Sequence, residues 1–395
     1  MDLFASDYWK LTVFLQKSIG FWVFRKEQWK NYIAWIYVYG FTMSFSISMG
    51  IRWVNELGVN LDIVVENAVG EMYLLLIFTK LTASILYRSK LKSLYIQIAN
   101  DWKILIDTEE LKIMHKYTAV GSKMVKLYSS YMLTGVTLFL SIPVFSPLLD
   151  YVFPLPNATR PKSLPYYAEY GIDIEKYYYP MITQAIFGGV GTITVFVTFD
   201  LGFIMIVQHV VALFNLVNFR LSKAAKIAIT MEVDNQNNTA KDYAARRHIV
   251  NAIELHQTAI EYVQIVEDCF NVNWLIILFL NMVMVGGGMF VLLFKFNRPE
   301  ESVRYAVVVG ATFIHFYYIF LPGQKIISSS ESVLDYCYAC NWHNLSERTK
   351  ILIQIMMMRS LRRCELTGGK MFVLCMDTYC NMMKTGFSVF TVLQS

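Results

Sequence analysis

Charged residues are scarce in this 395-residue sequence, at 16% against about 25% in soluble domains. Hydrophobic residues make up 55%, and the mean hydropathy is +0.41. Disordered chains are polar and highly charged, so this composition excludes intrinsic disorder. It also argues against a soluble multidomain enzyme, and it indicates a protein that crosses a membrane several times.

The sequence also lacks the motifs of common catalytic sites: we find no HExxH, GxSxG, P-loop or dinucleotide-binding glycine pattern. The 6 histidines are scattered, and the CxxC formed by Cys337 and Cys340 has no second pair. We therefore predict no enzyme activity, no metal site and no cofactor. The net charge of +5 is small and forms no concentrated basic face, so we predict no nucleic-acid partner.

Long apolar runs are abundant. A helix needs about 20 mostly apolar residues to cross the hydrocarbon core of a bilayer. Seven runs approach or exceed this length: 32–49, 67–87, 124–145, 181–207, 271–294, 303–321 and 371–393. We therefore predict an all-α, multi-pass membrane protein with seven transmembrane helices.

Lysine and arginine are distributed unevenly around these runs. Most of the 35 lie in the N-terminal segment and after the second, fourth and sixth runs. Because cytoplasmic loops are enriched in these residues, we predict a cytoplasmic N-terminus and an extracellular C-terminus. A G-protein-coupled chemoreceptor, which is an alternative function for a seven-span protein, has the opposite orientation. It also requires an extracellular disulfide and an Asp-Arg-Tyr motif. Asn157 is the one glycosylation sequon that falls outside the cell.

The predicted organisation has six parts. They are an N-terminal amphipathic segment (1–30), the first four spans (31–207), a cytoplasmic helical extension (208–270), spans five and six (271–324), a cytoplasmic segment of helix seven (325–370) and span seven (371–395). The first segment suits either a helix in the membrane interface or an ordinary packed helix. The Pro/Tyr-rich loop 146–180 cannot form a continuous helix and is predicted to be an extracellular lid. The two cytoplasmic segments are expected to contact other subunits.

Charged residues inside the predicted spans are costly there, and two of them lie at matching depths. Lys80 lies in the inner half of the second span, and Asp200 lies at a similar depth in the fourth. We hypothesise that they pair and tie the two helices together. In the alternative, each side chain snorkels or meets backbone carbonyls separately.

The seventh run carries a polar stripe. At about 100° per residue, one sector of the helix holds six residues spaced three or four apart. They are Thr378, Asn381, Thr385, Ser388, Val392 and Ser395. Repeated around a symmetric oligomer, this stripe would line an ion pathway, with Val392 as an apolar gate. The alternative is a dry polar contact between helices.

The C-terminal region resembles that of the insect odorant receptors, and the similarity extends over essentially the whole chain. It is most specific at 321–324 (LPGQ), 338–342 (YACNW), 368–370 (GGK) and 384–391 (KTGFSVFT). The resemblance implies a ligand-gated, non-selective cation channel in the plasma membrane of olfactory neuron dendrites. It implies a tetramer with the odorant receptor co-receptor, in which this shorter chain is the odorant-tuning subunit. A gustatory receptor channel is the alternative.

The partners implied by this resemblance are the co-receptor, membrane lipid around the spans, a small neutral volatile odorant, and the cations that pass through the pore. The ligand pocket would lie in the outer halves of spans two, three, four and six. A neutral ligand there is held by burial and by one or two hydrogen bonds. The candidate lining residues are Tyr73, Ile77, Thr134, Leu138, Ser141, Ile182, Ile186, Tyr305, Val309, Thr312 and Phe313. Each of them also suits ordinary core packing.

Overall fold

The computed structural model describes residues 3–105, 107–153, 162–233, 238–295 and 299–394. Most of these residues are helical. The helices are α1 (Lys10–Ser18), α2 (Gln28–Glu56), α3 (Leu61–Leu86), α4 (Arg88–Ile104), α5 (Thr108–Val152), α6 (Tyr178–Val233), α7 (Asn238–Phe294), α8 (Pro299–Tyr338), α9 (Glu347–Ser360) and α10 (Met376–Gln394). A short antiparallel ladder pairs β1 (Thr367–Gly368) with β2 (Phe372–Val373).

The predicted apolar runs fall largely within α2, α3, α5, α6, α7, α8 and α10. Among the described residues, four stretches are both long enough and apolar enough to cross a membrane. They are Thr108–Phe145, Tyr178–Thr230, Thr239–Phe294 and Ser302–Tyr338. The predicted all-helical membrane architecture is therefore confirmed, whereas the number of spans and their orientation stay predictions.

Helix α6 is the centre of the fold. Its side chains are buried almost without interruption from Ile193 to Val217, because α3, α5, α7 and α8 all pack around it. Beyond the predicted fourth and fifth spans, α6 and α7 continue as helices through 208–233 and 238–270. Residues 234–237, between these two helices, lie outside the described part of the chain.

The N-terminal segment packs as an ordinary helix against the rest of the chain. Trp9 and Trp22 are buried, and the rings of Trp9 and Phe4 meet the Tyr95 ring of α4 edge-on. Gln16 Nε2 donates a hydrogen bond to the Tyr95 hydroxyl at 3.0 Å. The aromatic stripe thus finds partners within the chain, as the packed-helix interpretation predicts.

The proline-rich loop begins later than predicted. Helix α5 continues through Pro143 and Pro147 to Val152. Pro147 has no N–H, so the carbonyl of Pro143 loses its partner within the helix. The buried Tyr178 hydroxyl donates a hydrogen bond to that carbonyl at 2.7 Å, which replaces the missing bond and lets the helix continue.

The segment before the last helix also differs from the prediction. Residues 325–338 continue α8 rather than helix seven, and 371–375 precede the start of α10. Gly369 and Lys370 have φ values of 64° and 57°, which form the turn between β1 and β2 and exclude a helix there.

The LPGQ stretch joins α8 to α10. A Cβ on Gly323 would collide with the Leu374 carbonyl, so glycine permits this close approach. Gln324 Oε1 accepts a hydrogen bond from the backbone N–H of Met376 at 3.1 Å, at the first residue of α10. It satisfies one of the N–H groups that a helix start leaves unpaired.

We expect Tyr178→Phe to destabilise the protein, because it leaves the Pro143 carbonyl buried without a donor. The loss should be about 1–3 kcal/mol, seen as a lower melting temperature of the detergent-solubilised protein. Tyr179→Phe is the matched control, since Tyr179 is 64% exposed. Equal melting temperatures for the two variants would contradict this role of the Tyr178 hydroxyl.

Candidate functional site

A cavity of about 210 Å³ lies among α2, α3, α5, α6, α7 and α8, beside the segment that precedes α6. The residues that line it are mostly apolar, and many of them are aromatic. The aromatic lining residues are Phe45, Tyr73, Phe139, Tyr166, Phe196 and Tyr305. Such a site binds a small apolar molecule chiefly by removing its surface from water.

Three of the predicted pocket residues line this cavity: Tyr73, Tyr305 and Thr312. The other eight do not. On α5 the lining residues are Met132, Gly135, Val136, Phe139 and Leu140. Thr134, Leu138 and Ser141 therefore lie off the lining face of the helix, and Leu138 is 52% exposed.

The remaining predicted residues also lie off the cavity lining, for similar reasons of register. Ile186 is exposed on α6, and Ile182 packs under the segment that precedes this helix. Ile77 is fully buried, one turn beyond Tyr73, without lining the cavity. Val309 faces Gly288 of α7, and Phe313 stacks on Phe387 of α10.

Small residues that the sequence analysis did not select form part of the lining. Gly70, Gly135, Ala185, Gly189 and Ala311 all line the cavity. A search that favours aromatic and hydroxyl side chains overlooks them. In the sequence, such a position is marked by a small residue that lies three or four positions from a large one on the same helix, as Gly135 does from Phe139.

Paired charges hold the segment 162–177 over the cavity. Arg304 Nη2 lies 2.8 Å from Glu66 Oε1, and Arg304 Nη1 donates a hydrogen bond to the Pro165 carbonyl at 3.1 Å. Both side chains are buried. Pro165 and Glu66 line the cavity, so this charge-assisted contact fixes part of its roof.

The predicted contact between Lys80 and Asp200 is present, and it belongs to a larger buried cluster. Lys80 Nζ lies 2.8 Å from both Asp200 carboxylate oxygens. Tyr128 donates a hydrogen bond to Asp200 Oδ2 at 2.5 Å, and Lys80 Nζ lies 2.9 Å from His315 Nε2. Lys80 also donates to the Phe196 carbonyl at 3.3 Å, so the backbone contact of the alternative hypothesis occurs as well.

This cluster touches the cavity wall through two lining residues. Lys80 Nζ lies 3.6 Å from the centre of the Phe196 ring, and His315 Nδ1 lies 3.1 Å from Asn281 Oδ1. His315 Nε2 also lies 3.3 Å from Asp200 Oδ2; if Nε2 accepts from the Lys80 ammonium group, Nδ1 carries the proton. Sequence reasoning missed Tyr128, His315 and Asn281, although His315 falls within the predicted sixth span.

The polar stripe of α10 is exposed along most of its described length. Asn381, Thr385 and Ser388 are exposed, and Thr378 is half-buried. The opposite face packs on the protein through Met383 and Gly386. The side chain of Val392, the predicted gate, lies outside the described residues, and so does Ser395, the last residue of the stripe. The predicted glycosylation site Asn157 lies outside them as well. The stripe therefore stays a prediction as a pore lining.

The cysteine pair Cys337 and Cys340 is buried, with both thiols free. Burial raises the pKa of Cys340 to about 11, so its thiolate, the reactive form, is rare at neutral pH. Burial also raises the pKa of Cys364. These residues behave as small apolar core residues.

The fold and the cavity define a helical membrane receptor. The family model described as 7tm Odorant receptor matches residues 65–387. The chain belongs to this family of odorant receptors, whose members are receptor and channel proteins rather than enzymes.

Curated relatives match over shorter stretches. The odorant receptor coreceptor of Drosophila melanogaster is 22% identical over 145 residues, which is 36% of this chain and 29% of that protein. The coreceptor of Aedes aegypti is 28% identical over 71 residues, which is 18% of this chain and 15% of that protein. The matched stretch thus spans less than a third of either relative.

Solved structures share the fold over nearly the whole chain. The olfactory receptor OR5 of Machilis hrabei in complex with eugenol has a TM-score of 0.76 and 15% identity, covering 98% of this chain and 99% of that one. A second structure of the same receptor has a TM-score of 0.70 and 14% identity, and it also covers 98% of this chain and 99% of that one.

We expect Lys80→Met and Asp200→Asn each to destabilise the protein strongly, because each leaves a buried partner without its counter-charge. Breaking a buried ion pair costs about 3–5 kcal/mol. The double variant removes both charges and should recover much of the loss in melting temperature and surface expression. Lys92→Met on α4 is the control, since Lys92 is exposed. A double variant no better than the single variants would contradict the pairing.

Proposed function

We propose that the chain is the odorant-binding, tuning subunit of a heteromeric, odorant-gated, non-selective cation channel. It would assemble with the odorant receptor co-receptor in the plasma membrane of olfactory sensory neuron dendrites. The observation that carries the proposal is the cavity, about 210 Å³ in volume with mostly apolar walls, among six helices of an odorant receptor fold. The OR5 relative with this fold has been solved with eugenol bound.

The charges around the cavity favour a neutral ligand. Glu66, the charged residue of the lining, is already paired with Arg304 at 2.8 Å. An ionic ligand would lose its hydration without gaining a counter-charge, which is costly in an apolar site. A neutral molecule loses little on entry and gains the burial of its apolar surface, at roughly 25 cal/mol per Å².

Helix α8 supports a route from the ligand to the pore. Tyr305 and Thr312 face the cavity, while Phe313 stacks on Phe387 of α10 with ring centres 5.9 Å apart. One turn further along α8, Tyr317 meets Tyr379 of α10 at 6.2 Å. A ligand that fits one position of α8 better than another would therefore shift α10 as well, and with it the proposed Val392 gate.

Exposed apolar residues on α9 support subunit assembly. Ile351, Ile355 and Met358 are each more than half exposed, and their spacing places them on one face of the helix. Such a stripe on a soluble surface marks a contact site. It lies in the predicted anchor segment 325–370, and the proposed occupant is a neighbouring subunit of the channel.

We expect Tyr73→Ala and Tyr305→Ala to shift odorant sensitivity. Losing one packed ring contact costs about 1–3 kcal/mol, or roughly 5- to 150-fold in the half-maximal concentration. The maximal current should be kept, because α10 is unchanged. Dose–response curves would be recorded from cells expressing each variant with the co-receptor. Leu138→Ala, exposed and away from the cavity, is the control; unaltered curves for both tyrosine variants would refute the pocket.

We expect Val392→Ala to alter conduction rather than ligand affinity. A smaller apolar ring is wider and wets more easily, so current should leak without odorant. Whole-cell current before and after odorant, normalised to surface expression, measures this effect. Val272→Ala, at an exposed position of α7, is the control. Normal currents from a surface-expressed Val392→Ala protein would place the pore elsewhere.

A further inference from the structure

Three of the described residues that line the cavity are glycines, and contacts within the protein explain two of them. A Cβ on Gly70 would collide with the side chain of Met49, and a Cβ on Gly189 would lie 2.9 Å from Leu140 Cδ1. Because packed atoms do not approach one another this closely, a side chain at either position would push a neighbour aside. Packing within the protein therefore accounts for glycine at these two positions.

Gly135 of α5 lacks such a neighbour. Among the described residues, a Cβ at this position would meet one atom within 4 Å, Cγ1 of Val307 on α8, at a distance of 3.7 Å. This distance is an ordinary van der Waals contact. Gly135 and Val307 both line the cavity. An alanine methyl would therefore fit at position 135 without strain, and it would lie at the cavity wall.

The usual reasons for a glycine do not apply at position 135. Its φ is not positive, so its backbone conformation is open to other residues. Membrane helices often use glycine to let a neighbouring helix come close, but here α8 leaves room for a methyl group. Gly135 also lies well inside α5 (Thr108–Val152), where glycine favours the helix less than any residue except proline. What glycine provides at this position is space beside the cavity.

We propose that Gly135 sets the upper size limit of the odorant, because the space left by its missing side chain accommodates the last carbon of the ligand. This inference rests on the proposed odorant-receptor function. An apolar cavity of about 150 Å³ holds benzene, so about 210 Å³ accommodates roughly eight non-hydrogen atoms. In a site of this size, one methyl added to the wall displaces about one carbon of the ligand.

Homologous series of odorants measure this limit directly. Straight-chain 1-alkanols, 2-alkanones and alkyl acetates each lengthen by a methylene at a time while the polar group stays the same. In cells that also express the co-receptor, the longest member that activates the unmodified protein defines the limit of each series. For Gly135→Ala we expect sensitivity to that member to fall roughly 5- to 150-fold, because overfilling a packed site is unfavourable. Shorter members should keep their half-maximal concentrations.

A compensating variant tests whether the effect comes from ligand space. Val307→Ala trims the facing wall, so the double variant Gly135→Ala/Val307→Ala should respond to the longest member again. A helix defect caused by the alanine at position 135 would not be repaired by a smaller side chain on α8.

Gly40→Ala is the matched control. Gly40 lies inside α2 and is exposed, and among the described residues a Cβ there would meet nothing within 4 Å. Both single glycine variants should raise the melting temperature of the detergent-solubilised protein by about 1–2 °C, because alanine restricts the unfolded chain more than glycine does. We expect a shorter size limit in Gly135→Ala and an unchanged limit in Gly40→Ala.

An unchanged limit in surface-expressed Gly135→Ala would overturn the inference, and so would an equal loss of sensitivity to short and long members. A lower melting temperature for Gly135→Ala would overturn it too, because it would show that the methyl has no room. If odorants evoke currents but the limit does not depend on position 135, the inference fails and the proposed function stands. If no odorant of any class evokes current with the co-receptor, the proposed function itself fails.

Discussion

The buried contact between Lys80 and Asp200 sets the geometry on which the rest of the fold depends. Removing two charges from water costs several kcal/mol per ion, and only close, well-oriented partners repay it. Here Asp200 of α6 receives Lys80 from α3 and Tyr128 from α5, and His315 of α8 completes the cluster. These contacts fix the positions of α3, α5, α6 and α8 relative to one another. They also position the cavity-lining residues Phe196 and Asn281, which contact Lys80 and His315.

A cavity in a close-packed protein needs such rigid supports. A space of about 210 Å³ between helices deprives the surrounding side chains of van der Waals contacts, which favours closer approach of the helices. The cluster at Lys80 and the Arg304–Glu66 contact resist that approach. Gly135 and Gly189 line the same space, and a ligand of the proposed kind would restore part of the lost contacts.

Sequence reasoning located the helices better than it located the site. Apolar runs depend on composition alone, and Lys80 and Asp200 were paired because depth along a helix can be counted. A cavity wall also depends on rotation, which changes by about 100° with each residue. Thr134 was therefore chosen where Gly135 lines the cavity, and Phe313 was chosen together with Thr312, although only Thr312 lines it. The turn at Gly369 was missed because its φ of 64° is a backbone property that apolar periodicity does not encode.

The same rigidity would let a ligand of the proposed kind act at a distance. Helix α8 meets the cavity at Tyr305 and Thr312, and Gly323 of α8 packs against the Leu374 backbone, two residues before α10. Close-packed elements shift between discrete arrangements rather than deforming continuously. If α8 and α10 move together at this contact, a ring contact with a ligand made in only one arrangement would bias both helices. The size of that bias is limited to the difference in ligand affinity between the two arrangements.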